Sequence, residues 1–415
     1  MYFKLNEYCK FIKGEDGDII YNFNTGDMIT LKTEFSKIID LCENSLFSIE
    51  KLSNSEINFL KILEANQIGK FFSQNIYIDN MYLGFDKEVF EIINENNMIN
   101  TAYIELGSKC NLNCVFCNDN EFTFRRTGCK KWKENKTSLT LEQWKKTIDE
   151  LIFLKCNNII FIGGEPLLYF DTLKILVEYC SKNNINNFTI YTNGYLLDKN
   201  MINFFIKYKV NLIIQVLGSN NEIYKNITNK DNLEETIFNN IKKLSYNKLI
   251  NLNILILINK YNENDIEKIK YKYKNLVNKI IIEYIYPKPE NNYYSKLFLN
   301  DIYNKEKRLS KVTLSDFCIN DKYNNCFKNM ISINYCGDVL CCPMLRSFKL
   351  GNIKEHGLGY ILKNSEYTYL KKLSKNKINK CKNCSLRYGC FDCRAIELSA
   401  TKSITGIEYC NKVKK

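Results

Sequence analysis

The sequence predicts an α/β protein built on parallel strands, followed by a cysteine-rich C-terminal region. Short apolar runs alternate with helix-like stretches from about residue 101 to 298, which is the pattern of parallel βαβ units. The chain has 415 residues, 45% of them apolar and 25% charged, which suffices for two or three domains with buried cores. Ten of its 18 cysteines lie after residue 316.

The first 85 residues are predicted to form a small module of strands followed by helices. The expected elements are strands at 19–21 and 28–31 and helices at 34–43 and from 53 onward. Residues 24–27 (Asn-Thr-Gly-Asp) have hairpin-turn composition. Ser53 and Glu56 form a capping box at the start of the second helix, and Gly69 is expected to stop that helix.

The central region carries six candidate strands. They are predicted at 103–106, 158–162, 188–191, 212–216, 252–258 and 280–285. In barrels of parallel strands, the chemistry lies in the loops after the carboxyl ends of the strands. A cysteine triplet follows the first strand and a Gly-Gly-Glu sequence follows the second. We therefore expect these two motifs to meet at one mouth of the sheet.

Composition excludes several classes of protein. No apolar run approaches the ~20 residues of a membrane span, and no signal peptide is recognisable at the N-terminus, so no membrane association and a cytoplasmic location are expected. Cytosolic thiols stay reduced, and clustered thiols there indicate metal binding. The one histidine, His356, excludes histidine-based triads and is expected at the surface.

The net charge of +13 is unevenly distributed. Residues 1–85 carry 8 lysines against 12 acidic residues, whereas residues 371–415 carry 12 basic residues against 3 acidic ones. A basic end attracts anionic partners such as nucleic acid. Lysine and asparagine are enriched throughout the chain, however, so we favour an ordinary solvated surface and regard a nucleic-acid partner as the weaker interpretation.

Three cysteines stand close together directly after the first predicted strand. Cys110, Cys114 and Cys117 have the spacing C-x3-C-x2-C. Three thiolates on one loop hold a [4Fe–4S] cluster through three irons and leave the fourth iron open for a ligand that is not protein. A structural zinc site and unligated cytosolic thiols are the alternatives, but zinc sites favour four ligands in paired knuckles, and no fourth ligand lies close by in the sequence.

With Phe116 before the third cysteine and a Gly-Gly-Glu-Pro sequence at 163–166, this segment resembles the radical S-adenosylmethionine (SAM) superfamily. The resemblance implies a partial (β/α)6 barrel in which the open iron binds the amino and carboxylate groups of SAM. Reductive cleavage of SAM then gives methionine and a 5′-deoxyadenosyl radical. The residues implied to bind SAM are Phe116, Gly163, Gly164, Glu165, Asn193 and Gln215.

Individual roles follow from the same resemblance. Glu165 or the adjacent backbone would accept hydrogen bonds from the methionine amino group, while the glycines let the backbone approach the ligand. Asn193, in the Thr-Asn-Gly sequence after the third strand, and Gln215 on the fourth would line the ribose and the methionine carboxylate. Gln215 stands where many relatives have serine. No dinucleotide-binding or Walker sequence is present.

The cysteines after residue 316 resemble the SPASM extension of radical SAM enzymes, which carries two auxiliary [4Fe–4S] clusters. The matching pattern is Cys326-x10-Gly337-x4-Cys342, then Cys381-x2-Cys384-x5-Cys390-x2-Cys393, then Cys410. Two residues separate Cys390 from Cys393 where the commoner form has three. The resemblance implies a first thiol set of Cys326, Cys342 and Cys393, with Cys318 as a candidate fourth member. It implies a second thiol set of Cys381, Cys384, Cys390 and Cys410.

A zinc ribbon is the main alternative for this region, because paired C-x2-C sequences also form zinc knuckles. Cys336 and Cys341 exceed the pattern and are interpreted as a substrate-facing thiol or as core residues. The scattered cysteines are interpreted as small buried hydrophobic residues. They are Cys9, Cys42, Cys129, Cys156 and Cys180. Because the C-terminal region has few apolar patterns, bound metal is expected to supply much of its stability.

The resemblance implies four regions and one function. The regions are a winged-helix-like leader-binding module at 1–85, a linker at 86–100, the barrel at 101–300 and the SPASM-type domain at 316–415. For residues 1–85, a small capping domain that binds no ligand is the alternative. The implied function is maturation of a ribosomally made precursor peptide that carries a leader, with SAM and three [4Fe–4S] clusters as cofactors. An electron donor such as flavodoxin or ferredoxin is implied as a further partner.

The favoured modification is a Cys thioether cross-link, because an auxiliary cluster that takes up a thiolate and an electron suits carbon–sulfur bond formation. Peptide epimerisation is one rival. Formylglycine formation in sulfatases is another, but those enzymes have an acidic residue directly after the cysteine that matches Cys342, and Pro343 stands there. A rival of another class is a non-catalytic iron–sulfur or zinc protein that binds nucleic acid.

Overall fold

The computed structural model describes residues 1–45, 47–79, 99–117, 131, 137–247, 250–286, 293–297 and 309–410. Nearly all of the predicted linker at 86–100, and Cys129, lie outside these residues. Within them, no helix is long and apolar enough to cross a membrane.

The N-terminal module contains the predicted hairpin and both predicted helices. Its elements are β1 (Tyr2–Leu5), β2 (Cys9–Ile12), β3 (Ile19–Asn22), β4 (Asp27–Thr30), α1 (Thr33–Asn44), α2 (Asn54–Ala65) and β5 (Gly69–Phe72). Strands β2, β3 and β4 form an antiparallel sheet, and β1 pairs with β5. The capping box of Ser53 and Glu56 is present.

The prediction that Gly69 stops the second helix is wrong. Helix α2 ends four residues earlier at Ala65, and Gly69 begins β5. A Cβ atom at Gly69 would lie 2.3 Å from the ring of Phe3 and 2.7 Å from the carbonyl oxygen of Lys4. Glycine is therefore required here by the close approach of β1, rather than by the end of a helix.

Six parallel strands form the centre of the molecule, which confirms the predicted α/β class. They are β6 (Thr101–Glu105), β7 (Asn158–Ile162), β8 (Asn187–Thr192), β9 (Asn211–Val216), β10 (Leu252–Ile258) and β11 (Lys279–Tyr284), each pairing in parallel with the next. The described helices between them are α3 (Leu141–Phe153), α4 (Phe170–Lys182), α5 (Lys199–Lys207), α6 (Asn221–Thr228), α7 (Leu233–Ser245) and α8 (Ile266–Tyr273).

Successive residues of the barrel strands face opposite sides of the sheet: one side packs in the apolar core and the other faces the inside of the barrel. Ala102 and Ile104 on β6 are fully buried in the main apolar core, together with residues such as Leu151 of α3. Successive strand residues point to opposite faces. Tyr103 on β6 and Ile160 on β7 consequently face the inner side, where they line a cavity.

The C-terminal region continues the same sheet. Strand β12 (Met330–Ile333) pairs in parallel with β6, and β13 (Asp338–Leu340) and β14 (Lys349–Asn352) extend the sheet antiparallel. The remaining helices are α9 (Leu314–Lys322), α10 (Leu358–Ile361), α11 (Ser365–Lys371) and α12 (Arg394–Thr401). Apolar residues such as Ile331 and Leu358 join the barrel core instead of forming a core of their own.

The N-terminal module packs against the C-terminal region. Tyr21 on β3 contacts the rings of Phe317 and Tyr388, and its hydroxyl donates to the carbonyl oxygen of Ser385 at 2.6 Å. The opposite face of β3 belongs to the module's own core, since Ile20 packs there with residues of α1 and α2. Strand β3 is therefore buried on both faces, and the module is joined to the C-terminal region through one of them.

Candidate cofactor and metal sites

The cysteine triplet lies on the loop after β6, as predicted. The backbone N–H of Cys117 donates to the carbonyl oxygen of Cys114 at 2.8 Å, which closes a turn between them. The N–H of Val115 donates to the carbonyl oxygen of Ile227 at 2.8 Å and so fastens the loop to helix α6. The N–H of Leu112 approaches the Cys110 sulfur at 3.4 Å. The three thiols are thus presented on a loop that the barrel holds in place.

The two glycines after β7 let a second loop pack on the cysteine loop. A Cβ atom at Gly164 would lie 2.3 Å from the carbonyl oxygen of Lys109, and one at Gly163 would lie 2.5 Å from that of Gly107. Gly163 also has a φ of +144°, which side chains disfavour. The N–H of Glu165 donates to Lys109 O at 2.9 Å. These glycines therefore allow the backbone of the second loop to pack closely against the cysteine loop.

Glu165 ties three loops together from a fully buried position. Its carboxylate accepts the N–H of Leu167 at 3.0 Å, the hydroxyl of Thr192 at 2.7 Å and the N–H of Asn193 at 2.8 Å. Burial raises the pKa of this carboxyl from 4.5 to about 7, and the three hydrogen bonds partly oppose that shift. With three donors of the protein already bound, one acceptor position remains on the carboxylate.

Asn193 connects the third strand's loop to the cysteine loop. Its Nδ2 donates to Asn111 Oδ1 at 2.8 Å and lies 3.9 Å from the Cys110 sulfur. Helix α7 holds the same loop, because Asn240 donates to the carbonyl oxygen of Gly194 at 2.9 Å. Among the described residues, the buried Nδ2 of Asn111 has no hydrogen-bond partner. This orphaned donor beside Cys110 fits a bound acceptor such as a cluster or its ligand.

The structure brings most of the predicted cofactor residues into one cavity. That cavity is lined by the three cysteines with Phe116, Gly164, Asn193 and Gln215, and by Leu112, Lys131, Leu217, Tyr224 and Ile237. Gly163 and Glu165 do not line this cavity, but they belong to the loop that packs on the cysteine loop. Three thiols, a glycine backbone and two amide side chains in one lining supply the ligands and polar groups that a cluster with one organic ligand requires. Sequence reasoning missed Tyr224, which belongs to no recognisable motif, and Asn111, which occupies one of the unspecified positions between Cys110 and Cys114.

The first thiol set lines a second cavity of about 660 Å³. Cys326, Cys342 and Cys393 line it together with barrel-strand residues such as Tyr103 and Glu283. Burial, followed by the neighbouring Cys393 and Cys326, raises the pKa of Cys342 well above its ordinary value. Three members of the set therefore line one cavity. They include Cys393, although only two residues separate it from Cys390.

Cys318, the candidate fourth member, is 2% exposed on α9 and is not among the residues that line this cavity.

The second thiol set gathers around Cys390. Burial raises the pKa of Cys390, and Cys384 and Cys410 act in the same direction from near by. Cys390 in turn raises the pKa of Cys381, which burial brings to about 12. Residues spread over thirty positions of sequence therefore lie within electrostatic reach of one another. No three His, Cys, Asp or Glu side chains of the described ranges converge on the position of a single metal ion.

The remaining described cysteines are buried, as expected of small apolar residues. Cys9, Cys42, Cys156, Cys180, Cys336 and Cys341 are each no more than 4% exposed. Cys336 and Cys341 do not line either cavity, so the structure favours the interpretation of both as core residues. His356 is exposed, as predicted.

Two family models match the chain. Residues 104–270 match the radical SAM superfamily, and residues 325–385 match the SPASM iron–sulfur cluster-binding domain. The chain is also 23% identical over 257 residues to the radical SAM cyclopropyl synthase TigE of Paramaledivibacter caminithermalis. That match covers 56% of this chain and about half, 52%, of TigE.

Solved structures share the fold. SuiB of Streptococcus suis bound to S-adenosylmethionine superposes with a TM-score of 0.55 at 17% identity, over 98% of this chain and 99% of SuiB. SuiB has also been solved with its precursor peptide SuiA. The enzyme anSMEcpe with bound AdoMet superposes with a TM-score of 0.55 at 19% identity, over 74% of this chain and 90% of that protein. The SuiB match extends over the N-terminal module as well as the barrel.

Proposed function

Because the chain carries a radical SAM domain followed by a SPASM iron–sulfur domain, we propose that this enzyme matures a ribosomally made precursor peptide. The cofactors would be SAM and three [4Fe–4S] clusters, one on the cysteine loop and one on each thiol set. The structures of SuiB with SuiA, and of anSMEcpe with a peptide, support a peptide substrate by likeness of fold.

One observation carries this proposal. The lining of the 660 Å³ cavity includes Cys326, Cys342 and Cys393 and also Ile162, the residue before the Gly163-Gly164 loop of the SAM cavity. A peptide side chain in this cavity would stand between the place where a radical is made and the first thiol set. A volume of this size accepts one or two side chains of a peptide.

The chain's own residues would do the following work. Cys110, Cys114 and Cys117 hold the cluster, while Gly164 and Asn193 bind and orient SAM through polar groups in the cavity. The bound cofactors supply a carbon radical that removes hydrogen from an unactivated carbon. The largely apolar wall around Phe116, Leu217 and Ile237 keeps water away from that radical.

The bond formed is proposed to be a Cys thioether. Forming a carbon–sulfur bond requires the loss of two hydrogens and a place for a thiolate and an electron, which the first thiol set would offer. Pro343 after Cys342 weakens the formylglycine alternative. Similarity to TigE adds cyclopropane formation to the alternatives, and epimerisation stays among them.

The N-terminal module is proposed to bind the leader of the precursor at the outer edge of β4, which pairs with no other described strand. The hydrogen bond from Leu31 N to Asp18 O places Leu31 in a hydrogen-bonded pair, so the N–H of Thr30, one residue earlier, points away from β3. Thr30 is exposed. A leader strand can therefore add to this edge by backbone hydrogen bonds.

Anaerobic reconstitution tests the cofactor assignment. We expect about twelve irons per chain and release of 5′-deoxyadenosine from SAM after reduction, since three cuboidal clusters carry four irons each. Zinc in place of iron, with no SAM cleavage, would support a non-catalytic binding protein instead. Reduction by flavodoxin or ferredoxin in place of a chemical reductant tests the proposed electron donor.

Mass spectrometry of the co-expressed peptide tests the bond. Loss of two hydrogens per link together with one alkylatable thiol is expected for a thioether. Unchanged mass with deuterium uptake from solvent would indicate epimerisation. Loss of two hydrogens with every thiol still alkylatable would indicate a carbon–carbon or ether link, or a cyclopropane.

A single substitution tests the leader site better than removal of residues 1–85, because removal would expose Phe317 and Tyr388. Thr30→Pro removes the outward N–H and is tolerated at a sheet edge, whereas the matched Thr30→Val keeps that N–H. We expect Thr30→Pro to weaken precursor modification about fivefold, without loss of uncoupled SAM cleavage, because one backbone hydrogen bond contributes about 1 kcal/mol. Equal turnover of the precursor by both variants would refute this edge as the leader site.

A further inference from the structure

A buried ion pair joins the barrel to the C-terminal region at the end of the strand that leads to the cysteine loop. Glu105 is the last residue of β6, and its carboxylate contacts the guanidinium Nη2 of Arg346. The side chains of Glu105 and Arg346 are 1% and 13% exposed. Separating the partners of such a pair would leave buried charges without their counter-ions, so the pair favours one arrangement of the two segments. We call it the Glu105–Arg346 bridge.

Glu105 lies on the face of β6 that is turned toward the large cavity. Tyr103, two residues earlier on the strand, lines the 660 Å³ cavity, and residues two apart on a strand share a face. Glu105 also pairs in register with Ile162 on β7, which lines the same cavity. A Cβ atom at Gly163 would lie 3.5 Å from Cγ of Glu105. Glu105 therefore adjoins both a residue of the large cavity and the loop that packs on the cysteine loop.

Arg346 directly follows the turn that carries Cys342 of the first thiol set. The N–H of Leu345 donates to the carbonyl oxygen of Cys342 at 3.0 Å, which closes this turn. Pro343 and Met344, within the turn, line the 660 Å³ cavity together with Cys342. Leu345 is 1% exposed and packs in the barrel core. Because the turn is closed and anchored, the position of Cys342 is linked to that of Arg346.

The Glu105–Arg346 bridge consequently ties the proposed site of SAM cleavage to the first thiol set. Cys110, the first thiol of the cysteine loop, follows Glu105 by five positions, and Cys342 precedes Arg346 by four. A peptide in the large cavity must meet the radical made on one side and the thiol set on the other. A misplacement of about 1 Å between reacting groups costs about a hundredfold in rate. The spacing that this bridge holds is therefore of direct consequence for the reaction.

We propose that the Glu105–Arg346 bridge sets the spacing between the site of SAM cleavage and the first thiol set, and so couples SAM cleavage to modification of the peptide. This inference rests on the proposed function, which supplies the peptide in the large cavity. Glu105 and Arg346 act as positioning residues, since neither is among the residues that line the two cavities. With the bridge broken, the adenosyl radical forms but is quenched by an electron from the reductant and a proton from solvent, so SAM is consumed without product.

The test compares Arg346→Met with the parent, both reconstituted with iron and reduced, on purified precursor peptide. The yield of modified peptide per 5′-deoxyadenosine should fall about a hundredfold through kcat, with the KM for the precursor unchanged. Release of 5′-deoxyadenosine from SAM alone should continue at the parent's rate. Arg346→Lys keeps the charge without the planar fork and should restore part of the yield. Lys363→Met is the matched control, because Lys363 is exposed between α10 and α11, and it should behave as the parent.

Hydrogen exchange followed by mass spectrometry gives a readout that needs no turnover. In Arg346→Met without SAM, the backbone amides of residues 342–348 should exchange several-fold faster than in the parent, because the bridge no longer holds this turn against β6. Lys363→Met should leave their exchange unchanged.

Three results would overturn the inference in Arg346→Met protein that carries about twelve irons. The yield of peptide per nucleoside stays that of the parent, SAM cleavage and peptide modification fall by the same factor, or the exchange of residues 342–348 does not change. If Arg346→Met loses its iron, Glu105→Gln decides, because it keeps the size of the side chain and removes its charge; unchanged yield and exchange in that variant contradict the inference. A parent that cleaves SAM but modifies no peptide would refute the proposed function itself, and this inference with it.

Discussion

The cysteine loop and the C-terminal thiol sets bring thiols together by opposite means. Cys110, Cys114 and Cys117 lie within eight residues on one loop, which hangs from β6 and is fastened to α6 and to the Gly-Gly-Glu loop. The C-terminal thiols come from segments spread between residues 326 and 410, and turns rather than strands or helices surround most of them.

This difference shows what each site needs from bound metal. The loop stands on a barrel whose apolar core is continuous without any metal. At the C-terminal end, beside Cys393 and next to Cys410, the described apolar cluster is small and is built on Tyr286, Ile396 and Tyr409. We therefore expect the cysteine loop to keep its structure without metal, whereas the C-terminal thiol region should need bound metal to stay folded.

The largest expected effect separates the two regions by function. Replacing Cys110, Cys114 and Cys117 by Ala should reduce 5′-deoxyadenosine release to background, while about eight of twelve irons stay bound. The cysteine loop and the C-terminal thiol sets lie in separate segments of the fold, so the fold should survive. Chromatography of the nucleoside and an iron assay measure both quantities. Retained SAM cleavage in this variant would refute the assignment of the loop.

The next effect concerns stability. Cys384→Ala should lose about four irons and most of the soluble protein, because metal is expected to hold this region together. Cys180→Ala is the control, since Cys180 is fully buried in α4 and belongs to neither set. It should keep about twelve irons and unfold at a free energy lower by only about 1 kcal/mol. A soluble Cys384→Ala protein that keeps all of its iron would contradict the expected difference in metal dependence between the two regions.

A smaller effect tests whether Glu165 is a buried, proton-binding carboxyl that holds the loops around the cysteine triplet together. The folded pKa of Glu165, about 7, is raised above its ordinary 4.5 by burial, so the folded state binds this proton more tightly than the unfolded state. Its contribution to stability is complete below pH 4.5 and is lost as the pH rises through about 7. The loss amounts to about 3 kcal/mol.

Glu165→Gln does not titrate, so the stability advantage of the parent over this variant should shrink between pH 5 and pH 7.5. Urea unfolding of both proteins at several pH values measures that difference. Glu235→Gln, an exposed change on α7, controls for the loss of one charge. A difference that is constant with pH, or that grows as the pH rises, would contradict the buried protonated carboxyl.

The smallest effect asks whether the N-terminal module shares the stability of the C-terminal region. Tyr21→Phe removes the hydroxyl that donates to Ser385 O at 2.6 Å and leaves the ring contacts with Phe317 and Tyr388. The free energy of unfolding should fall by about 1 kcal/mol. Tyr77→Phe is the control, because Tyr77 is exposed. Identical unfolding curves for the two variants would mean that the contact adds nothing.

The order of elements was predictable because it depends on short-range pattern. All six barrel strands were predicted to within two residues, since continuous apolar runs such as 252–258 mark buried parallel strands. Strand β12 was missed, because four residues with one serine among them carry little periodicity. The early end of α2 was missed for a different reason: Gly69 serves a contact with β1, which lies more than sixty residues earlier.

Some residues of the candidate site were likewise predictable from the sequence and others were not. The cysteine loop and its neighbours at Gly164, Asn193 and Gln215 were found from sequence, because each follows or lies on a strand whose end faces the same mouth. The role of Glu165 as a tie between loops was not found, since its three donors are chosen by packing. Neither was Tyr224, which reaches the cavity from α6.

By itself, the sequence determined which chemical groups the chain owns and in which order they meet the strands. Spacing within one loop constrains its thiols directly, since only a few backbone dihedrals separate them. The tertiary structure alone decided that Cys393 joins Cys326 and Cys342 at a cavity, that Lys375 pairs with Asp392, and that the N-terminal module packs on Ser385. These contacts span up to 364 residues, and packing of whole elements selects them because no local pattern can encode a partner that distant.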